Sequence, residues 1–299
     1  MTTLRALECL VALVEHGSMS AAAESLYMSQ PALSHQIASL ERELGAAVVE
    51  RKGRGVRVTV VGHAAAAEAR IALRAAEKAV QVGKRTSGGD DADAGQLRIS
   101  CDETMTAWVL APVLRQWRSR RPEVTLDLSE FTSANAMAGA LAAGGTDIAV
   151  GPRPTRTEGH VEVLGREDMV VVAAAQHRFG DLPTVPITAL ADEVFIHYNP
   201  SNGMAMWVDQ LAAQHQIVLN PVLRTFSPRT AAHLAAAGMG VTIVPASALV
   251  SWPNGVVRRL RPMVKRDVIA MVAAPSDTLA QDFIADLHRR GVPNTTWPK

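Results

Sequence analysis

The sequence predicts an α/β protein that is preceded by a small helical unit and one long helix. Three observations support this architecture. Apolar residues recur at helical spacing in residues 1–45, an alanine-rich run fills residues 63–86, and strand-like and helix-like segments alternate from residue 96 onward. Because strand–helix–strand repeats build parallel sheets, we expect a parallel sheet in the second part of the chain.

The composition limits the class of protein. The 299 residues are 48% hydrophobic, enough for two or three domains with their own cores. The formal net charge is +1, so a nucleic-acid interface would have to rest on local charge. Two cysteines, Cys9 and Cys101, are too few for a disulfide framework. The N-terminus is a poor signal peptide, and no apolar run reaches the roughly 20 residues that span a bilayer, so we predict a cytoplasmic protein.

Residues 1–60 are predicted to form three helices followed by a tight loop and a strand. The first helix has an apolar stripe made of Leu4, Leu7, Leu10, Val11 and Val14. Gly17 ends this helix, and Ser18 and Ser20 are N-cap candidates for the second. Ser29 and Gly45 are the expected ends of the third helix.

The third helix has an unusual polar face. Its apolar stripe is formed by Leu33, Ile37, Leu40 and Leu44. The opposite side carries small or hydrogen-bonding side chains with one fixed charge, namely Pro31, Ala32, Ser34, His35, Ala38, Ser39 and Arg42. Two helices joined by a short turn form the helix-turn-helix pattern, and a thin polar face lets the second helix approach base edges in the major groove. The alternative is that residues 29–45 simply pack this face against another helix.

A basic loop and a strand are predicted to follow. Valines at 56, 58 and 60 alternate with polar residues, which indicates a strand, and Gly53 and Gly55 mark a tight turn before it. Residues 51–57 hold four cations and no acid, so most of the positive charge of a unit that is neutral as a whole is concentrated at one loop. We predict a winged helix-turn-helix, although a solvated loop would also explain the charges.

The rest of the chain is predicted to form a linker and two α/β lobes. The helix at 63–86 could pair two chains, and SGGDDADAG at 87–95 is a flexible acidic linker. Predicted strands cover 97–100, 124–131, 146–151, 167–176, 195–199, 222–226, 241–245 and 268–274. Predicted helices cover 105–122, 136–144, 204–214, 229–238 and 278–291. The resulting domains are 1–60, 61–94 and 95–299, with lobe I at 95–163 and 267–295 and lobe II at 164–266.

The order of these parts resembles the LysR-type transcriptional regulators. The resemblance covers essentially the whole chain and is most specific in SQPALSHQIASLERELG at 29–45, with GGTDIAVG at 144–151 and AAGMGVTIVP at 236–245 as weaker matches. It implies a DNA-binding domain, a dimerising linker helix, an effector module like the periplasmic solute-binding fold, and a tetramer. The implied partners are promoter DNA, a small-molecule effector and, for an activator, RNA polymerase. Val49 departs from the family, which usually has Phe there.

The predicted DNA contacts combine the polar face of the third helix, its N-terminus and the basic loop. Gln30 and Pro31 match family positions that meet DNA, and Arg54 could enter a minor groove. The remaining cations would grip phosphates. The full set is Ser29, Gln30, Pro31, Ser34, His35, Gln36, Arg42, Arg51, Lys52, Arg54 and Arg57.

Polar side chains also follow the predicted strands, at the edge where α/β modules bind their ligands. They would suit a small anion such as a carboxylate, which Arg153 or Arg229 could bind through two hydrogen bonds. The predicted effector-binding residues are Ser100, Cys101, Asp102, Thr132, Ser133, Arg153, Asn199, Ser201, Asn202, Ser227 and Arg229. The resemblance supports four of these positions: Ser100, Thr132, Asn202 and Ser227. For each polar residue the alternative is a helix cap, and for Cys101 it is burial in the core.

Other chemistries find little support in the sequence. The nine histidines lack metal-ligand spacing, no catalytic or phosphate-binding motif occurs, and we predict no cofactor and no enzyme activity. With Cys101 as the only cysteine after residue 9, an intramolecular redox switch in the lobes is excluded. A second basic cluster at 258–266 is predicted to be solvated surface or a subunit contact. Two alternatives are a transporter's solute-binding protein and an α/β ligand-binding or enzymatic protein with a DNA-binding appendage.

Overall fold

The computed structural model describes residues 2–52, 55–86, 95–157, 160–249, 255–273, 275 and 277–293. The chain divides into two units. One comprises Met1–Gly83 with Ala143–Gly145, and the other comprises Lys84–Ala142 with Thr146–Lys299. None of the helices in the described ranges combines the length and the apolar character that a membrane span requires.

The described residues of the first unit form four helices and a two-stranded hairpin. Its elements are α1 (Leu4–His16), α2 (Met19–Ser25), α3 (Gln30–Leu44), β1 (Val49–Lys52), β2 (Gly55–Val58) and α4 (Val60–Thr86). Ser18 and Ser29 cap α2 and α3 through their side chains, as predicted. Gly17 and Gly45 end α1 and α3 in the left-handed conformation, at φ of 68° and 66°.

The core of the first unit confirms part of the predicted apolar stripes. Leu33, Ile37 and Leu40 of α3 are buried, but Leu44 is 44% exposed because it is the last residue of the helix. The stripe predicted for α1 is confirmed in part. Leu10 is buried and Leu7 and Val14 pack partly buried against the core, whereas Leu4 is 49% exposed. The buried face of α1 consists of Ala6, Cys9, Leu10, Ala12 and Leu13. Small side chains let α1 approach its neighbours closely, whereas the prediction gave most weight to large ones.

The predicted strand is present as β2, and it pairs with a second strand, β1, in a hairpin. β1 and β2 pair antiparallel from Val49↔Val58 to Lys52↔Gly55. Val49 packs partly buried against the helical core, where the family usually has Phe. The long helix begins at Val60, three residues before the predicted start.

The second unit consists of ten strands and six α-helices among the described residues. The strands are β3 (Gly95–Asp102), β4 (Val124–Phe131), β5 (Ile148–Pro152), β6 (His160–Ala173), β7 (Thr184–Pro186), β8 (Val194–Tyr198), β9 (Asn220–Thr225), β10 (Thr242–Pro245), β11 (Val256–Arg261) and β12 (Lys265–Val272). The helices are α5 (Glu103–Met105), α6 (Ala111–Arg120), α7 (Ala134–Ala142), α8 (Gly203–Gln214), α9 (Pro228–Ala236) and α10 (Thr278–Arg290), with a π-helical segment at Thr106–Leu110.

The prediction of a parallel sheet is wrong for this unit, which has a mixed sheet. β3, β4 and β5 are parallel, but β12 runs antiparallel to β5 and β6, and β10 and β11 run antiparallel to β6. The 14-residue strand β6 pairs with β12 over 160–168 and with β10 and β11 over 169–173. β6 therefore passes through both lobes. Local strand–helix alternation cannot reveal this, because the antiparallel partners are distant in sequence.

Each lobe has its own hydrophobic core. Lobe I is built on β3, β4, β5, β12 and the first part of β6, and lobe II on β7 to β11 and the rest of β6. Trp117 of α6 and Phe283 of α10 pack edge to face in lobe I, with ring centroids 5.0 Å apart. The C-terminal helix thus returns to the first lobe, as predicted. Phe195 and Tyr198 of β8 are central to the core of lobe II.

Candidate functional sites

The polar face predicted for α3 is its solvent face. The side chains of Pro31, Ala32, Ser34, His35, Ala38 and Arg42 are exposed, while Gln36 and Ser39 are partly buried. The apolar residues opposite them hold the helix against the core. An exposed helix face without bulky or acidic side chains suits close approach to a grooved polyanion.

The N-terminus of α3 is ordered by side-chain hydrogen bonds. Ser29 Oγ accepts from the N–H of Ala32 at 3.3 Å, and Gln30 Oε1 accepts from Ser20 Oγ at 3.2 Å. Ser29 therefore has a capping role, and Gln30 is oriented by α2. Tyr27, which the sequence analysis did not single out, stands 99% exposed in the turn before this helix, at φ of 52°.

The predicted cations of the hairpin are described only in part. Arg57 is 63% exposed and donates from Nε to Oε1 of Glu50 across the hairpin at 2.6 Å. Arg51 and Lys52 lie on β1. The prediction for Arg54 lies outside the described residues.

A cleft of about 610 Å³ lies between the lobes of the second unit. Its walls come from the ends of β3, β4 and β5, the start of β12, and the N-terminal part of α8 with the loop before it. The predicted effector residues that line it are Asp102, Thr132, Ser133, Arg153, Ser201 and Asn202. The structure brings these six together from three strand ends and one helix start, although they span 100 residues of sequence.

The other predicted effector residues do not line the cleft: Ser100, Cys101, Asn199, Ser227 and Arg229. Ser100 and Cys101 are fully buried, and Ser100 Oγ donates to the carbonyl of Ile148 at 3.4 Å. Burial raises the pKa of the Cys101 thiol, so the reactive thiolate is disfavoured. These two side chains belong to the core of lobe I rather than to a ligand surface.

Several cleft residues also cap helices. Oδ1 of Asp102 accepts from the backbone N–H of Thr104 at 3.0 Å and from its hydroxyl at 2.6 Å. Oδ1 of Asn202 accepts from the N–H of Met204 at 2.7 Å, and its Nδ2 donates to the carbonyl of Phe226. The two roles, cap and cleft wall, therefore coincide at Asp102 and Asn202.

The lobes also touch directly beside the cleft. The backbone N–H of Gly203, the first residue of α8, donates to the carbonyl oxygen of Thr132 at 2.9 Å. A change in the separation of the lobes at this edge must break or lengthen this bond.

The prediction that the basic cluster at 258–266 is solvated surface is only partly right: Arg259, Arg261 and Lys265 are exposed, whereas Arg258 and Arg266 are partly buried. Arg259 and Lys265 both pair with Asp168, at 2.9 and 3.3 Å. Arg258 donates to the carbonyl oxygens of Leu182, Gly180 and Val257. Arg266 pairs with the buried carboxylate of Glu167. The acids come from β6, so the cluster looks unpaired only in sequence.

Arg153, predicted to bind a carboxylate, already faces one. Its Nε lies 3.5 Å from Oδ2 of Asp267, and the other carboxylate oxygen of Asp267, Oδ1, accepts from Nε of Arg166 at 3.0 Å. Glu103 on the same wall is half-buried, and burial raises the pKa of its carboxyl. Within the described ranges, no group of three or more His, Cys, Asp or Glu side chains is placed to hold a metal ion.

Two protein families match the two units. Residues 4–63 match the bacterial regulatory helix-turn-helix proteins of the lysR family, and residues 90–291 match the LysR substrate binding domain. The chain belongs to the LysR family. It is therefore a DNA-binding transcriptional regulator with an effector-binding domain and not an enzyme. This membership removes the transport and enzymatic alternatives.

Individual LysR-family proteins are similar over most of their length. The HTH-type transcriptional regulator ClcR of Pseudomonas putida is 33% identical over 257 residues, which cover 84% of this chain and 85% of ClcR. A full-length OxyR variant from Pseudomonas aeruginosa has a TM-score of 0.69 at 24% identity and covers 97% of both chains. Full-length CbnR, solved with its target DNA, has a TM-score of 0.66 at 24% identity, over 97% of this chain and 100% of CbnR. At these identities the two structures show a shared fold.

Proposed function

We propose that the exposed face of α3 reads base edges in the major groove and that the β1–β2 hairpin grips the phosphate backbone. The observation that carries this proposal is the division of α3 into a buried stripe and a thin, exposed, nearly uncharged face. Ser34, His35 and Gln36 supply hydrogen-bonding groups there, and Arg42 lies two to three turns further on, where it contacts backbone. The N-terminus of α3, with Gln30 and Pro31, approaches a phosphate.

In this proposal the regulator acts as a dimer or tetramer, and each chain has three domains, at 1–60, 61–94 and 95–299. The 27-residue helix α4 is rich in alanine, and two copies can pack closely. Pairing two chains places two recognition helices on half-sites one or more DNA turns apart. Contact with RNA polymerase, if the protein activates, and the cytoplasmic location also stay predictions.

The cleft between the lobes is the proposed effector site. Residues from both lobes line it, and the Gly203–Thr132 hydrogen bond joins the lobes at its edge. An effector that binds one separation of the lobes more tightly than another increases the population of the state it prefers. The arrangement of the protein on DNA then changes with that state. This requires a differential affinity of the effector for the two states.

DNA binding tests the proposal directly. We would titrate the full chain by fluorescence anisotropy against the intergenic region upstream of its own gene and against an unrelated duplex, at two salt concentrations. Ser34→Ala should reduce the preference for the operator. Arg57→Ala should weaken binding to both duplexes and lower the salt slope by about 1, the loss of one phosphate contact.

Arg70→Ala is the matched control for the hairpin. Arg70 is also a surface arginine of the first unit, and it pairs with Glu15 at 3.2 Å as Arg57 pairs with Glu50. It should leave affinity and salt slope unchanged. Equal loss from both substitutions, or an operator preference that survives Ser34→Ala, would contradict the assignment of the two DNA-contacting elements.

A further inference from the structure

Arg266 is a buried cation of the cleft wall whose hydrogen-bonding capacity is only partly used. Its side chain is 11% exposed and lines the cleft. Nε donates to Oε1 of Glu167 at 2.5 Å, and Nη1 lies 3.7 Å from the sulfur of Met204. Nη2 is buried and has no acceptor among the described residues. A buried guanidinium donor without an acceptor is costly, and a ligand oxygen would supply the missing partner.

A buried polar network holds Arg266 in place. Oε2 of Glu167 accepts from the backbone N–H of Ser247 at 3.2 Å. The hydroxyl of Ser247 donates to Oγ1 of Thr104 at 2.7 Å, and the Thr104 hydroxyl donates to Asp102. These residues come from both lobes. Their hydrogen bonds hold Glu167 in place, and Glu167 orients the guanidinium before any ligand arrives. Such preorganisation lowers the entropic cost of binding.

The charged side chains that line the cleft sum to zero when Arg266 is included. The wall carries three cations, Arg153, Lys265 and Arg266, and three acids, Asp102, Glu103 and Asp267. Arg153 faces Asp267 and Lys265 pairs with Asp168. Among the described residues, the wall therefore offers one buried guanidinium N–H group without an acceptor and no net positive charge. This suits a ligand with one negative charge better than one with two.

Much of the remaining wall is apolar. It includes Pro152, Pro154, Pro200, Met204, Met206 and Trp207. Proline, methionine and tryptophan surfaces favour an aromatic or aliphatic group, and the aromatic ring of Trp207 adds a flat contact surface.

We propose that Arg266 anchors the single carboxylate of a monocarboxylic effector whose aromatic or aliphatic body lies against the apolar wall. Nη2 donates to one carboxylate oxygen, while Glu167 keeps Nε engaged. This inference rests on the proposed effector function of the cleft and names the chemical class of its ligand.

Calorimetric titration of the full chain with matched probes tests this class. The probes are benzoate, phenylacetate and hexanoate, each beside its neutral amide, with phthalate as a dianion. At least one acid should bind about 10-fold or more tightly than its amide, as expected of a charge-assisted hydrogen bond, and phthalate no more tightly than benzoate. Failure of all three acids to bind at millimolar concentration, equal affinity of acid and amide, or preference for phthalate would overturn the proposal.

A double variant tests whether Arg266 is the cation that binds the carboxylate of the probe. Arg266→Gln alone leaves Glu167 buried and unpaired, so Glu167→Gln with Arg266→Gln removes both charges together. In this variant the ratio of the affinity for the acid to the affinity for its amide should fall to about 1. Arg259→Gln is the control, because Arg259 is paired with Asp168 outside the cleft wall. It should keep the preference, and a preference kept by the double variant would overturn the role of Arg266.

The two proposals fail separately. Operator binding by the chain without any probe tests the DNA-binding function, while the acid preference is measured without DNA. Operator binding without an acid preference overturns only the ligand class. An acid preference without operator binding supports the anchor and overturns the proposed DNA-reading elements.

Discussion

Gly62 is a position in α4 where a methyl group has no room. A Cβ added there would lie 2.2 Å from the carbonyl oxygen of Val48 and 2.7 Å from Cγ1 of Val58. Val48 is fully buried, and its carbonyl oxygen also accepts from the N–H of Thr59 at 2.9 Å. The carbonyl cannot turn away without losing that hydrogen bond, so the helix or the hairpin must move.

We expect Gly62→Ala to destabilise the first unit by about 2 kcal/mol. Alanine is favoured over glycine in a helix interior by about 1 kcal/mol. Against this, a forced methyl group in a packed site costs typically about 1–3 kcal/mol. A contact of 2.2 Å to a backbone atom places the cost at or above the upper end of that range. The strain therefore outweighs the gain in helix propensity.

Gly83→Ala in the same helix is the matched control. Nothing lies within 4 Å of a Cβ built at Gly83, so this substitution should stabilise the unit by up to about 1 kcal/mol. The opposite signs expected at the two glycines separate packing strain from helix propensity.

Thermal unfolding measures the effect. Far-UV circular dichroism follows the helices of both units, whereas all five tryptophans lie beyond residue 100 and report the second unit. A loss of about 2 kcal/mol should lower the midpoint of the first unit by roughly 8–16 °C and leave the tryptophan transition in place. If Gly62→Ala unfolds at or above the wild-type temperature, as expected of Gly83→Ala, the reasoning is refuted.

Three further predictions follow from burial and capping. Burial raises the pKa of the Cys9 and Cys101 thiols, so a thiol reagent such as DTNB should label the native chain far more slowly than the chain in urea; fast native labelling would contradict their burial. Asp277→Ala should lower the free energy of unfolding by about 0.5–2 kcal/mol, because its carboxylate accepts two N–H groups at the start of α10, and an unchanged urea midpoint would count against this cap. Burial also raises the pKa of the Glu103 carboxyl. The wild type should therefore lose stability relative to Glu103→Gln as the pH rises through that raised pKa, and the two proteins should not differ below the ordinary carboxyl pKa. Urea midpoints measured across pH test this prediction, and a stability difference that stays constant with pH would exclude it.

The sequence by itself determined the helix-turn-helix and its ends. Ser18, Ser29 and Gly45 act on backbone groups within three or four residues, so their roles follow from local sequence. The stripe of Leu33, Ile37 and Leu40 follows from helical periodicity for the same reason. Local periodicity set the inward face of α1 only in part, because several of its residues are apolar and only its neighbours decide which of them are fully buried.

The sequence also predicted the ends of several strands, but it did not predict the roles of the polar side chains that follow them. The sequence placed polar residues after β3, β4 and β5, and the structure gathers part of them at one cleft. Whether such a side chain caps a helix, lines the cleft or is buried depends on which strand lies beside it. Ser100 is buried against β5, whereas Asp102, two residues further along the same strand, reaches the cleft. Alternation along a strand does not predict this difference.

Only the tertiary structure decided the mixed sheet and the charge pairing of the basic segment. β6 supplies the carboxylates of Glu167 and Asp168, and β11 and β12 supply Arg259, Lys265 and Arg266 from about 100 residues later in the chain. Residues 258–266 contain no acid, and a run of cations without acids predicts a solvated surface. Antiparallel pairing through β6 brings opposite charges within hydrogen-bonding distance, because strand register depends on contacts made by the whole sheet rather than on adjacent residues.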